Sequence, residues 1–519
     1  MLKVYNSLGR EKQDFKPRRE GFVGMYVCGP TVYGHSHIGH AKSYVSFDVI
    51  VRYLRYLGCR VRYVQNITDV GHLTDDSDFG EDKVGRKARE LGIEPMEVAE
   101  LYTRSYFEDM DALNVLRPDI SPRATGHIPE QIELVKELLA RGHAYEVNGN
   151  VYFDVASFPG YGKLSGRRLE EMMEGVRIEP SEEKRNPADF ALWKRAEKGH
   201  LLRWRSPWGE GFPGWHLECS AMGLRYLGPT LDIHGGGIEN IFPHHEDEIA
   251  QSEGATGEQF VRYWLHNNMV TVGGQKMGKS LGNFITLKDA FAGKPPLTGP
   301  VRPMVIRYFV LTCHYRSPLD FSAEALEAAR KGLERIEQTV ERVRERRRLQ
   351  FGPELTAEGQ AASEEAVRQA HRPEPSRGAG GELPGPVAEL IEKTKADFLS
   401  QMDDDFNTAG ALGHLSNFTR EVNRLLDSAE HLDSAMLASL DELYGELGES
   451  ILGILRDIGQ PKAGTDRGIE RQLVEALVEM RSRLREARQY KLSDEVRERL
   501  SALGIELKDG PEGTGWERK

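Results

Sequence analysis

His37-Ile38-Gly39-His40 and Lys276-Met277-Gly278-Lys279-Ser280 hold the residues of this chain best suited to chemistry on a phosphate. The imidazoles of His37 and His40 can donate hydrogen bonds to phosphoryl oxygens, and Gly39 between them lets the backbone come close to a ligand. Lys276 and Lys279 can cancel charge that builds on a transferring phosphoryl group. Either stretch alone is a weak signal. In this order, and far apart in the chain, they suggest attack on the α-phosphate of ATP with loss of pyrophosphate. His37, His40, Lys276 and Lys279 are then the catalytic set, and Gly39 and Ser280 join the nucleotide contacts.

A second constellation is Cys28, Cys219, His244 and Glu248. His244 and Glu248 are four apart, a spacing that puts both on one face of a helix, and Pro243 suits the first helical position. Two thiolates, an imidazole and a carboxylate are a reasonable set for Zn²⁺. Lone cysteines are also commonly small buried hydrophobes, so spacing by itself leaves both readings open. Cys28 ends the strand that leads into the first phosphate motif, and an ion there would sit beside the reaction.

The elements that must position these residues follow from periodicity. Phe22 to Val27 reads as a buried strand closed by Cys28-Gly29-Pro30. From Ala41 to Leu57, Val45, Val49, Tyr53, Tyr56 and Leu57 keep helical spacing, and Gly58 supplies the stop. Arg60 to Ile67 alternates as a strand. Strand, helix and strand of this kind predict a parallel, Rossmann-like α/β sheet, with the first motif at a helix N-terminus beyond a strand's carboxyl end. Residues ~110 to ~215 read as an insertion without βαβ rhythm, with a short strand at Asn150 to Asp154. The parallel pattern resumes at Thr230 to His234 and runs into Gly235-Gly236-Gly237, which leave room for a flat ligand or make a tight turn. From Ser322 the chain is helical, and Leu326, Ala329, Leu333, Ile336, Val340 and Val343 form a heptad-like seam. The run from Glu341 to Arg348 is a solvated helix face or a ridge for phosphates. Residues 351–386 read as a linker, a second helical stretch spans ~387 to ~458, and a small unit ends the chain.

Longer fragments carry a specific resemblance. The two phosphate motifs resemble the HIGH and KMSKS signatures of class I aminoacyl-tRNA synthetases, with Gly278 in place of the usual Ser. Tyr26 to Tyr33, Gly214 to Met222, Asp232 to Gly237, Phe242 to Glu246, Lys184 to Lys194 and Met402 to Thr408 are similar to cysteinyl-tRNA synthetases. The resemblance runs over nearly the whole chain. It implies a cysteine--tRNA ligase that activates L-cysteine with ATP and esterifies the 3′ end of tRNA(Cys). It implies one Zn²⁺ on Cys28, Cys219, His244 and Glu248, with substrate sulfur joining it, and Mg²⁺ with the ATP. Cys28, Thr68, Trp215, His216 and His234 are implied around the amino acid, and Gly235, Gly236 and Gly237 around the nucleotide. The implied domains are a catalytic first half (1–110), an inserted connective region (111–213), a catalytic second half (214–265) and a KMSKS-loop and stem-contact region (266–321). A helical anticodon-binding bundle (322–460) and a small C-terminal domain (461–519) follow. One departure is Val70 to Asp78, which makes this segment longer than the family's shorter form.

Bulk composition limits the alternatives. A net charge of −12 argues against a sequence-independent nucleic-acid coat, although a local basic face could still bind RNA. Four scattered cysteines read as reduced and intracellular. No apolar run opens the chain or reaches ~18 residues, so neither a signal peptide nor a membrane span is expected, and a monomer in the cytoplasm is the default. The alternative activity is an ATP-dependent ligase joining cysteine to a small amine such as an amino-sugar. Such an enzyme has no need of the long helical C-terminal part. A non-catalytic zinc-containing RNA binder would have lost pieces of the ATP site, and both motifs survive here.

Overall fold

A computed structural model describes residues 1–73, 81–167, 183–278, 281–295, 297, 299–351, 385–428, 432–456, 466–502, 505–510 and 513–518. They fall into two compact units, Met1–Arg456 and Asp457–Lys519. The linker expected at 351–386 lies almost wholly outside the described residues.

An antiparallel hairpin, β1 (Lys3–Asn6) and β2 (Glu11–Asp14), precedes the first long strand, β3 (Phe22–Val27). Every β3 residue after Phe22 is buried, as befits a parallel strand covered on both faces. The next helix spans Ile38–Tyr56, starting before the apolar spacing does. His37 is its N-cap, and its own backbone N–H donates to His40 Nδ1 at 3.2 Å. Gly58, at φ +84°, ends the helix in the left-handed region. β4 (Arg60–Gln65) then pairs in parallel with β3, Val27 opposite Gln65.

The insertion is an antiparallel sheet with its own core. β5 (Ala144–Val147), β6 (Asn150–Phe153), β7 (Phe190–Arg195), β8 (Trp204–Ser206) and β9 (Gly209–Pro213) stand in the order β5-β6-β7-β9-β8. Helix Ile128–Ala140 packs on it through Leu134, Val135 and Leu138, against Val151, Phe153 and Trp193.

β10 (Leu231–Gly237) returns beside β3, and β11 (Val261–Asn267) follows helix His244–Thr256. The catalytic sheet is wholly parallel, in the order β11-β10-β3-β4. Strand order reverses between β3 and β10, so a crevice opens at their carboxyl ends. The three glycines are neither a turn nor an open cradle. They continue β10 and pair with Leu265, His266 and Asn267. A Cβ at Gly235 would lie 2.4 Å from the Phe47 ring, and one at Gly236 would lie 2.7 Å from His245 Cε1. Glycine is required there because side chains of this chain fill the space.

β12 (Val270–Val272), β13 (Gln275–Lys276) and β14 (Leu319–Phe321) form a small sheet around the second motif. Helix Ala323–Phe351 then buries all six residues of the predicted seam. It packs with helices Thr408–Ser428 and Ser434–Tyr444, and helix Gly385–Asp403 packs on those two. The arginines of the charged run are partly consumed in this packing. Arg342 donates to Asn423 and Asp427, Arg344 to Asp441, and Arg346 to the Leu426 carbonyl.

The described residues of the second unit form two helices, Asp466–Glu486 and Tyr490–Ala502, and a hairpin of β15 (Ile505–Gly510) and β16 (Gly513–Arg518). Val474, Leu500, Ile505 and Leu507 make its core. No helix among the described residues is long and apolar enough to cross a membrane.

Candidate active site and metal centre

The two phosphate motifs meet beyond the carboxyl end of β3. The chain after the second motif pairs with the first: Ile38 N–H donates to the Ile285 carbonyl, and Leu287 N–H to that of Ser36. Phe284 packs edge-on to His37 at 5.1 Å. A Cβ at Gly39 would sit 2.8 Å from His37 Cε1 and 3.7 Å from Met277 Cε, so the loop lies directly over the helix start. His37 and His40 stack with ring centroids 3.8 Å apart. Burial, and then the neighbouring His37, hold His40 well below the usual imidazole range. His40 is therefore a neutral ring. Lys276 is exposed on β13, and Asn283 fastens its loop by bonding Gly278 N–H at 2.8 Å and the Lys276 carbonyl at 3.2 Å. Lys279 and Ser280 lie outside the described residues.

Cys28 follows β3 immediately, and its N–H donates to the Gly235 carbonyl of β10. Its Sγ is 4.0 Å from that of Cys219, on helix Trp215–Leu227, and 3.9 Å from Glu248 Oε1. His244 Nε2 stands 3.2 Å from the same Glu248 oxygen. Pro243 is the N-cap of helix His244–Thr256 rather than its first residue. The helix therefore starts one residue later than predicted, and the four-residue spacing still stacks His244 over Glu248. Among the described residues, Cys28, His244, His245 and Glu248 form a donor group whose ligand atoms all lie within 4.8 Å of one another, and the predicted Cys219 is not part of it. Such a cluster can hold a metal ion.

Electrostatics point the same way. Burial pushes the Cys28 thiol up to about 11, and raises Cys219 well above the usual range, with Cys28 adding to it. Burial also raises the Glu248 carboxyl and lowers His244 and His245 strongly. These groups are costly to charge in a dry site, and a cation among them reverses that cost.

The supporting shell was only partly foreseen. His234 Nε2 donates to Glu248 Oε2 at 2.8 Å, and His216 Nδ1 meets His244 Nδ1 at 2.7 Å. Both came from the resemblance as pocket residues, and here they orient the metal candidates. His245 contacts Cys28 Sγ at 3.2 Å, and its Nδ1 bonds His266, which bonds Ser7 Oγ. His245 is not among the predicted site residues, although its i,i+3 spacing to Glu248 also shares a face. Thr68 donates to Glu218 Oε1, while Asn66 reaches both and receives Gly29 N–H. Trp215 lies on the His244 ring at 4.5 Å.

Parallel sheet, both phosphate motifs at its carboxyl edge and a helical C-terminal region define a class I aminoacyl-tRNA synthetase. Residues 14–331 match the family described as tRNA synthetases class I (C) catalytic domain, and residues 397–456 match the DALR domain. Cysteine--tRNA ligases of Chlorobaculum tepidum and Thermus thermophilus are 51% and 47% identical, covering 100% and 99% of this chain and 99% of each relative. The chain belongs to the cysteine--tRNA ligases, and the amine-joining alternative has no support. In fold it is similar to Mycobacterium tuberculosis methionyl-tRNA synthetase bound by methionyl-adenylate, at TM-score 0.54 and 14% identity over 84% of this chain and 92% of that one.

Proposed function

We propose that this ligase activates L-cysteine with ATP, releases pyrophosphate and passes cysteine to the 3′ end of tRNA(Cys), acting as a cytoplasmic monomer. One observation carries the reading of the site: Cys28 lies at the switch point of the sheet, beside the junction of the phosphate motifs, and belongs to a buried cluster of side chains that could hold a metal ion.

We assign Cys28, Cys219, His244 and Glu248 as the residues that would hold Zn²⁺. Two zinc thiolates in tetrahedral geometry stand about 3.8 Å apart, from bonds of about 2.3 Å, and the 4.0 Å between Cys28 and Cys219 suits that spacing. His216 occupies His244 Nδ1 and so leaves Nε2 for a ligand role. We keep His245 as a hydrogen-bond partner of Cys28, whose Sγ its Nε2 meets at 3.2 Å while His266 holds its Nδ1. When bound, zinc supplies a preference for thiolate over alcohol, which separates cysteine from serine.

The chain's own residues do the rest. In the first step the cysteine carboxylate attacks the α-phosphate in line, and no protein nucleophile is needed. His37 and His40 donate to phosphate oxygens, and Lys276 and Lys279 offset the developing charge, with Mg²⁺ accompanying ATP. Gly39 and Gly237 are assigned to the nucleotide side of the crevice, and Ser280 to the phosphates, whereas Phe47 and His245 take the space beside Gly235 and Gly236. Thr68, Trp215, His216 and His234 frame the amino acid, and the helical region 322–460 takes the tRNA. Cysteine-dependent pyrophosphate–ATP exchange and charging of tRNA(Cys) test this reading. Metal-replete protein that catalyses neither overturns it.

A further inference from the structure

His72, three residues after Asp69, stands against Trp215, one of the residues assigned above to the amino acid. The His72 ring is stacked on Trp215 with centroids 3.8 Å apart and planes 8° from parallel. Trp215 also lies on the His244 ring. The indole is thus held between a candidate metal ligand and a residue that nothing else in the site uses. Polar contacts fix the His72 plane. Lys83 Nζ approaches Nε2 at 2.6 Å, and Thr31 Oγ1 approaches Nδ1 at 2.6 Å. An ammonium can only donate, so Nε2 accepts and Nδ1 carries the proton, which it gives to Thr31 Oγ1. Lys83 also lies 5.9 Å from the Tyr33 ring, and Thr31 bridges to Thr68, so both anchors belong to the pocket wall.

We propose that His72 is a positioning residue that clamps Trp215 over the bound amino acid, in a ring plane set by Lys83 and Thr31. The proposal rests on the reading of the crevice beside His244 as the cysteine site. A stacked aromatic pair steadies a ring at the cost of little mobility. Loss of the clamp therefore weakens cysteine binding and spares the phosphate chemistry.

The test measures pyrophosphate–ATP exchange and metal content for H72A, H72F, H72N and W215A. The expected result for H72A is a KM for cysteine raised about fivefold, the size a lost aromatic stack gives, with kcat, KM for ATP and metal content unchanged. H72F, which keeps a ring but loses both polar anchors, restores the KM for cysteine in part, and H72N, which keeps an amide but no ring, does not. The proposal is overturned if H72F is as impaired as H72N, or if KM for ATP rises in step. The comparison of H72F with H72N stands even where H72A does not fold. W215A separates the two levels of failure. An unchanged KM for cysteine in W215A sinks the pocket reading and the clamp with it. A raised KM in W215A beside wild-type values in the His72 variants sinks the clamp alone.

Discussion

The Sγ atoms of Cys28 and Cys219 lie 4.0 Å apart although 191 positions separate them in the chain. One follows a central parallel strand, and the other sits in the second turn of helix Trp215–Leu227, which packs over that sheet. Cys219 is buried, and Tyr26, Met222 and Trp264 belong to the same apolar cluster. The apolar core therefore sets the thiol–thiol distance, and the metal chemistry inherits it.

Replacement of Cys219 by Ser keeps the shape of this cluster and removes a soft ligand. The C219S protein is expected to bind zinc at least about tenfold more weakly, a loss typical even of outer-shell changes. Its KM for cysteine should rise. Metal analysis after dialysis and exchange kinetics check both; full zinc with wild-type kinetics refutes the assignment.

Gly39 has no room for a methyl group, because its Cβ would meet His37 Cε1 at 2.8 Å. G39A should push the imidazole away from the α-phosphate and lower kcat in exchange on the order of a hundredfold, as misplacement by about 1 Å does. Thermal stability should change little. A wild-type kcat would remove His37 from the catalytic set.

Asp48 and Arg307 form a fully buried ion pair that ties helix Ile38–Tyr56 to helix Pro303–Leu311. Arg307 also donates to the carbonyls of Leu452, Leu113 and Asn114. D48A strands that guanidinium and is expected to cost about 3–5 kcal/mol in urea unfolding. The double variant D48A/R307L should recover part of the loss. Purely additive losses would show that the two residues do not interact.

His266 is buried, and that burial pulls its imidazole from 6.5 down to about 3, with His234 reinforcing the shift. A base with a lowered folded value binds fewer protons when folded than when unfolded. The stability it protects is whole above pH 6.5 and is lost as pH falls from there toward 3, at up to about 1.4 kcal/mol per pH unit. Unfolding of wild type and H266N between pH 7.5 and 5 measures this. The variant should show a shallower slope by one proton; equal slopes would mean that His266 charges freely in the folded protein.

Much of the scaffold is legible from the residues. Phe22–Val27 reads as a strand because a doubly covered parallel strand is almost continuously apolar, and Cys28-Gly29-Pro30 marks its end. The seam from Leu326 to Val343 reads as a helix because each of its steps buries a side chain. The sheet of the insertion is much less legible. Its pairs, such as Phe153 with Phe190, join short strands across long stretches of chain, and local pattern says nothing of such pairing.

For the site, the spacing of His244 and Glu248 puts them on one helix face by itself, because helical periodicity is a local property, whereas their role as metal donors is implied only by the resemblance. The companions of those donors were decided by tertiary packing alone. His234 on Glu248, His216 on His244, His245 on Cys28 and His72 on Trp215 all join separate elements or neighbouring turns. Gly235 and Gly236 looked like space for a ligand, and packing gave that space to Phe47 and His245. Sequence carries the chemistry of each group, whereas distances between remote groups follow from how helices and the sheet close around a common core.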